Sequence, residues 1–290
     1  LHVGWPYLSC TVGALLGEGP QWSMVDGSVW FVDIKGQWIH AYTEATGATR
    51  SFRTPEFAAF VVRDSRGGLV CGLRTGLYRF DPITGRFDLL QIVDAAHPGN
   101  RLNDGYVDGQ GRLWFGTMDD RERATTGTLY RFAQGHLERM DTGYVITNGP
   151  AMSPDGRILY HVDTLQRCVY AFDVDPLGAM SGKRVFVRVT EADGYPDGPA
   201  VDAAGNLWLA MFGGWGVRCY SPQGELLRSL DLPVAQCTKA AFGGADLRTL
   251  YVTAASIGLN AAQQARQPLA GALFRARVEV AGLAPNTFAD

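Results

Sequence analysis

The chain has few cysteines and no spacing that would pair them. Its 290 residues hold five, Cys10, Cys71, Cys168, Cys219 and Cys237, far apart and without a CxxC pair. An odd, scattered set excludes a disulfide framework and a structural zinc site as the organising device, and points to reduced, mostly buried thiols in a cytoplasmic protein. No apolar run approaches the roughly 20 residues of a membrane-crossing helix. No charge of one sign dominates either: 26 Lys and Arg against 29 Asp and Glu leave a formal −3, with the bases dispersed. That excludes the electrostatic footprint of a nucleic-acid or anionic-membrane binder. The opening Leu1-His2-Val3-Gly4-Trp5 lacks a basic stretch followed by an apolar one. The missing initiator methionine keeps a trimmed precursor open.

Long amphipathic helical patterns are also scarce, while glycine is abundant at 36 residues. Hydrophobic residues make up 46% and charged residues 19%, enough for a sizeable core and unlike a disordered chain. Short β-branched and aromatic runs alternate with turn signals such as Asp81-Pro82-Ile83-Thr84-Gly85, Asp108-Gly109-Gln110-Gly111 and Ser153-Pro154-Asp155-Gly156. The strand after each such turn repeats. Trp30, Val70, Trp114, Tyr160, Trp208 and Tyr251 stand 40, 44, 46, 48 and 43 residues apart, and a second strand follows each. Six units of this length predict an all-β, six-bladed β-propeller of four-stranded antiparallel blades, one domain over residues 1–290. Ring closure is expected from the stretch around Cys10-Thr11-Val12 beside Phe274–Val278. A propeller with short edges needs no partner, so a monomer is expected.

Four segments just before the aligned strands combine Glu, Asn or Asp with Gly. They are Leu16–Trp22 around Glu18, Asn100–Gly105, Thr147–Met152 around Asn148, and Tyr195–Ala200 around Asp197. Equivalent places in different blades meet at the central channel, and small neighbours let an acid or amide approach a common point. Oxygen donors of this kind suit one hard or borderline divalent cation: Ca, Mg, Mn, Fe(II) or Zn. A single Asn-Gly or Asp-Gly is usually a turn. Four at one phase of a repeat point to a polar axial site.

The same segments carry a resemblance. Glu18 in Gly17-Glu18-Gly19-Pro20, Arg101-x-Asn103-Asp104-Gly105 ahead of Gly116-Thr117-Met118, Asn148-Gly149, and Pro196-Asp197-Gly198 together resemble the SMP-30/gluconolactonase/LRE (regucalcin-like) family, with bacterial aldonolactonases such as xylonolactonase nearest. The resemblance covers nearly the whole chain. It implies a carboxylic ester hydrolase that opens a sugar lactone with one divalent metal ion. It implies metal ligands Glu18, Asn148 and Asp197, and substrate contacts from Arg101 and Asn103. Some relatives add an acid after the Gly-Thr-Met segment; here the aligned position is Arg121, a departure that bears on which sugar is bound.

Lactone hydrolysis needs a polarised carbonyl, an activated water and a stabilised oxyanion. Asp197 is the candidate general base as well as a ligand. Two rival readings remain: another metal-dependent esterase or phosphotriesterase-like hydrolase on the same scaffold, and a non-enzymatic calcium-binding propeller. His161 falls in a strand pattern and reads as packed or channel-lining. Ser153 is a turn residue with no nucleophile elbow around it. Trp215, in Gly213-Gly214-Trp215-Gly216, reads equally as part of the substrate pocket or as a turn.

Overall fold

The structure is a computed structural model and describes residues 7–290. Residues 1–5, considered above for a leader, lie outside that range. Strand β1 (Tyr7–Thr11) is followed by one unit repeated along the chain. Strands β2 (Gly17–Ser23), β3 (Ser28–Asp33), β4 (Trp38–Thr43) and β5 (Thr49–Arg53) pair antiparallel in sequence order. The meander recurs in β6 (Ala58–Arg63), β7 (Leu69–Leu73), β8 (Gly76–Asp81) and β9 (Arg86–Ile92). It recurs again in β10 (Asn100–Val107), β11 (Leu113–Asp119), β12 (Gly127–Ala133) and β13 (His136–Tyr144). A fourth copy is β14 (Thr147–Met152), β15 (Ile158–Asp163), β16 (Cys168–Val174) and β17 (Met180–Arg188).

The remaining strands depart from the expected pattern. They are β18 (Tyr195–Val201), β19 (Leu207–Phe212), β20 (Gly216–Tyr220), β21 (Leu226–Asp231), β22 (Cys237–Gly243), β23 (Thr249–Ala254) and β24 (Ala272–Arg277). With β1 they form one eight-stranded sheet, ordered β1-β24-β23-β22-β18-β19-β20-β21. The expectation of six separate four-stranded blades is therefore corrected. Among the described residues this all-β propeller has four separate four-stranded blades and one continuous sheet of eight strands. The join is a parallel bridge between Gly198 and Lys239. A Cβ on Gly198 would lie 2.5 Å from Lys239 Cγ, so only a glycine lets these two backbones come close enough to pair.

Ring closure follows the expected route, with Leu8 opposite Phe274 and Cys10 opposite Leu273. The inner strands β2, β6, β10, β14, β18 and β22 each pack against the next, and β22 returns to β2. The second strands, such as β3, β11 and β23, are buried at every position because blades cover both their faces. Outer strands such as β13 and β17 are largely exposed and carry His, Glu, Lys and Arg, which blunts their free edges.

The turns that mark the repeat are locked to this core. Asp108 Oδ1 accepts from the backbone N–H of Gln110 at 2.9 Å and of Arg112 at 3.0 Å. Its Oδ2 accepts from the indole of Trp114 at 2.7 Å. Asp202 does the same for Ala204, Asn206 and Trp208. Each carboxylate thus satisfies a tight turn and a buried indole at once, which couples turn and strand. At the end of the ring where the inner strands finish, the C-terminal segment crosses from Gly282, bridged to Asp202, to Phe288, bridged to Asp64. Phe288 is fully buried beside Phe132 there. Four cysteines are buried and Cys10 is partly so; all five are free thiols. Among the described residues no helix is long and apolar enough to cross a membrane.

Candidate functional site

Every inner strand slips register at the same phase. The slips fall at Glu18/Gln21, Ala58/Phe60, Leu102/Gly105, Asn148/Ala151, Pro196/Pro199 and Cys237/Lys239. A bulge inserts residues, bends the strand and re-aims side chains. Glu18, Asn103, Asp104, Asn148, Asp197 and Lys239 all sit in or beside these bulges, and all are buried. The flanking glycines serve the same end. Gly17 has no room for a Cβ against the Ala254 carbonyl, and Gly19 takes a φ of +55°.

The interior is wired by hydrogen bonds between neighbouring strands. Arg101 donates from Nε to Asp120 Oδ1 at 2.9 Å, and from Nη1 to Asn103 Oδ1 at 2.6 Å. Asn103 Nδ2 donates to the Thr147 carbonyl at 2.6 Å and to Asn148 Oδ1 at 3.0 Å. Asn148 Nδ2 donates in turn to Thr164 Oγ1 at 2.9 Å. The donor end of the Asn148 amide is therefore engaged, and its oxygen is held toward the interior.

The two expected acids have far fewer partners. Glu18 Oε2 accepts from the Gly19 N–H at 3.0 Å. Asp197 Oδ1 is buried with no hydrogen-bond partner among the described residues. Burial first, then the charge of Asp104, pushes the Glu18 carboxyl up to about 8, against the pull of Lys239, the Gly19 N–H and Arg101. Burial, then Glu18 and Asp104, raises the Asp197 carboxyl well above the usual carboxylate range. Two desolvated acids facing one another are costly unless positive charge or a proton is shared between them. Among the described residues no three His, Cys, Asp or Glu side chains gather closely enough to hold an ion, so the Asn148 oxygen would have to join the set. The orphaned Asp197 oxygen, the Glu18 carboxyl and the oriented amide form an all-oxygen donor set that fits a hard or borderline divalent cation.

The structure thus brings Glu18, Asn148, Asp197, Arg101 and Asn103 to one interior. Arg121 is placed elsewhere. It is exposed in the loop 120–126, with its backbone N–H on Asp119 Oδ1 at 3.3 Å. The neighbouring Asp120 enters the site in its stead, taking Arg101, Lys35 and Arg74 on its two oxygens. His161 is packed as expected, fully buried with its ring 4.7 Å from that of Tyr144. Trp215 is exposed in the turn between β19 and β20, at the end of the ring where Asp197 lies.

Sequence reasoning missed Lys239 and gave Asp104 no role. Lys239 donates from Nζ to Asp104 Oδ1 inside the ring, and both are buried. The signal was available: Thr238-Lys239 stands at the phase of the four acidic or amide segments, one unit later, but carries no acid beside glycine.

Known proteins accord with this architecture. Residues 16–256 match the SMP-30/Gluconolactonase/LRE-like region. A 6-deoxy-6-sulfogluconolactonase of Pseudomonas putida is 35% identical over 97% of this chain and 98% of its own. An L-arabinolactonase of Azospirillum brasilense is 36% identical over 94% and 92%. Among solved structures, a calcium-binding regucalcin of Agrobacterium tumefaciens superposes with a TM-score of 0.95 at 29% identity, covering 98% of this chain and 97% of its own. With the match extending through all the inner strands and relatives of this identity along nearly the full length, the chain belongs to the SMP-30/gluconolactonase/LRE-like family.

Proposed function

We propose that this protein is a divalent-cation-dependent lactonase that opens a sugar lactone to the aldonic acid. The observation that carries the reading is the pair Glu18 and Asp197, two buried carboxyls at one place, one with an oxygen that no group among the described residues satisfies. The names of the two bacterial relatives, both lactonases, supply the substrate class. Glu18, Asn148 and Asp197 would hold the cation. When bound, it supplies Lewis-acid polarisation of the lactone carbonyl and charge stabilisation for the oxyanion.

The chain's own residues do the rest. The Asp197 carboxylate takes a proton from the water whose oxygen attacks the carbonyl carbon. As the tetrahedral centre collapses, the ring C–O bond breaks, and the proton passes from Asp197 to the departing alkoxide oxygen. Arg101, a fixed donor fork, and Asn103, an amide, orient the sugar hydroxyls. The buried interior excludes bulk water and so strengthens each of these contacts.

The test is proton release from xylono-, arabinono-, glucono- and galactonolactones, before and after chelation and with defined cations restored. Turnover that survives complete metal removal would remove the cation from the reaction. Absence of turnover on every lactone would favour the calcium-binding reading.

One observation refines the substrate. Lys35 and Arg74 flank Asp120 at the partly exposed outer end of the Arg101 chain, with Glu122 as a further nearby acid. Three cationic side chains around one carboxylate favour a lactone that carries an acidic substituent, as the name of the Pseudomonas relative describes for its own substrate. A higher kcat/KM for the sulfonated than for the neutral gluconolactone is expected. Equal values would discard the refinement.

A further inference from the structure

The axial acids do not share one environment, and the difference singles out Lys239. Asp104 has both oxygens engaged. Its Oδ1 takes the Lys239 ammonium and the Gly105 N–H at 2.8 Å, and its Oδ2 takes the Gly149 N–H at 2.8 Å. Asp197 and Glu18 lie close enough for Asp104's charge to act on both, yet one oxygen of Asp197 has no partner among the described residues. Among the described residues, of these three mutually interacting carboxylates only Asp104 has a cationic side chain on its own oxygens.

Lys239 is held for this task from several sides. The bulge at Cys237/Lys239 turns it inward. Its stem lies on Gly198, next to Asp197, through the same contact that joins the eight-stranded sheet. Its neighbour Thr238 donates to the Gly17 carbonyl, adjacent to Glu18, at 2.5 Å. Its ammonium reaches Asp104 on β10. Lys239 and its neighbour Thr238 thus touch the strands that carry Glu18, Asp104 and Asp197.

We propose that Lys239 is the internal counter-cation of the axial site: its ammonium occupies Asp104, keeps that carboxylate out of the cation's donor set, and leaves Glu18 and Asp197 as the charged ligands. This rests on the cation reading given above. In the ionised state that cation binding requires, the three carboxylates and one ammonium carry a net −2, which a dication cancels. Asp104, so occupied, becomes a brace instead of a ligand, because its Oδ2 fixes Gly149 and with it the preceding Asn148. Lys239 is accordingly a positioning residue that sets how strongly the site binds dications, since affinity in oxygen sites follows the count of charged ligands.

The experiment titrates calcium alone into wild type, Lys239→Met, Asp104→Asn and the double variant by calorimetry, and records their melting in EDTA and in excess calcium. Lys239→Met keeps the stem on Gly198 and removes the charge. With Asp104 released, calcium affinity is expected to rise by ~10-fold or more, while stability in EDTA falls. Asp104→Asn leaves the ammonium facing Glu18 and Asp197, where it competes with the cation, so affinity is expected to fall by ~10-fold or more. The double variant restores the charge balance and returns to within about 3-fold of wild type. Folding of Lys239→Met only with calcium, beside a double variant that folds in EDTA, supports the proposal equally. Parallel losses in both single variants, no change in Lys239→Met, or a double variant that does not fold would overturn it. Wild type that binds no dication would overturn the cation reading itself, and this inference with it.

Discussion

Asn103 donates its amide N–H to the side-chain oxygen of Asn148 across 3.0 Å of buried interior. The residue assigned to the sugar is thereby bonded to one assigned to the cation. Partners that orient a ligand side chain commonly change affinity or activity 10- to 100-fold when removed. Asn103→Ala is therefore expected to weaken cation binding and to lower kcat/KM together, each by ~10-fold or more. A pure loss of substrate affinity, with cation titration unchanged, would show that this bond does no positioning.

Asp197 opposes function and stability. Its carboxyl is buried, lacks a partner on one oxygen among the described residues and faces the charges of Glu18 and Asp104. Asp197→Asn should reduce turnover by ~100-fold or more, the usual scale for a lost acid–base group. The same variant should melt higher than wild type in EDTA, because the cost of burying that carboxyl, either charged or with a proton taken up, is gone. Added cation should raise the melting temperature of wild type and shift the variant little. A variant that melts lower than wild type in EDTA would contradict this account of the site.

Gly198→Ala probes the join of the eight-stranded sheet. The new Cβ would meet Lys239 Cγ at 2.5 Å, Cβ at 2.6 Å and Cδ at 2.8 Å. Displacing a lysine stem inside a packed core costs about 1–3 kcal/mol. Urea unfolding should report that loss, and turnover should fall with it because Asp197 is the adjacent residue. Wild-type stability would mean that the lysine stem yields freely.

His161 carries the pH prediction. The ring is fully buried, and both nitrogens lack hydrogen-bond partners among the described residues. Burial pushes its pKa down from 6.5 to about 3, with Asp141 opposing and Lys183 assisting. Because the folded value lies below the unfolded one, the stability is whole above pH ~6.5 and is lost as pH falls toward 3. Wild type should lose about 3 kcal/mol between pH 7.5 and 4.5 from this residue alone. His161→Phe, which retains a ring against Tyr144, should lose correspondingly less over that interval. Parallel pH curves for the two proteins would exclude His161 as the source.

Much of the site is legible in the order of residues. Glu18, Asn148 and Asp197 lie at one phase of a repeat, and a repeat places equal phases at equal depths around a ring. Arg101 and Asn103 are legible from the resemblance of the segment that contains them. Lys239 is not, because its role lies in a partner 135 residues away. Asp120 is hidden behind Arg121, since a one-residue choice in a turn depends on which side chain the loop directs inward. The bulges that turn Glu18, Asn148 and Asp197 inward leave no composition signal beyond their glycines.

Residue order was enough to specify an all-β chain of repeated antiparallel units, closed by its N-terminal strand, with acids and amides at a recurrent inner position. Alternating apolar residues, turn glycines and the Asp-to-Trp spacing are local, and local chemistry decides strands, turns and their order. How the last strands combine, and which acids are already neutralised, depended on the closed ring. Two backbones pair at Gly198 and Lys239 because the ring brings them within reach and glycine leaves the space. Asp104 is occupied and Asp197 is not, because burial and distance are properties of the assembled molecule.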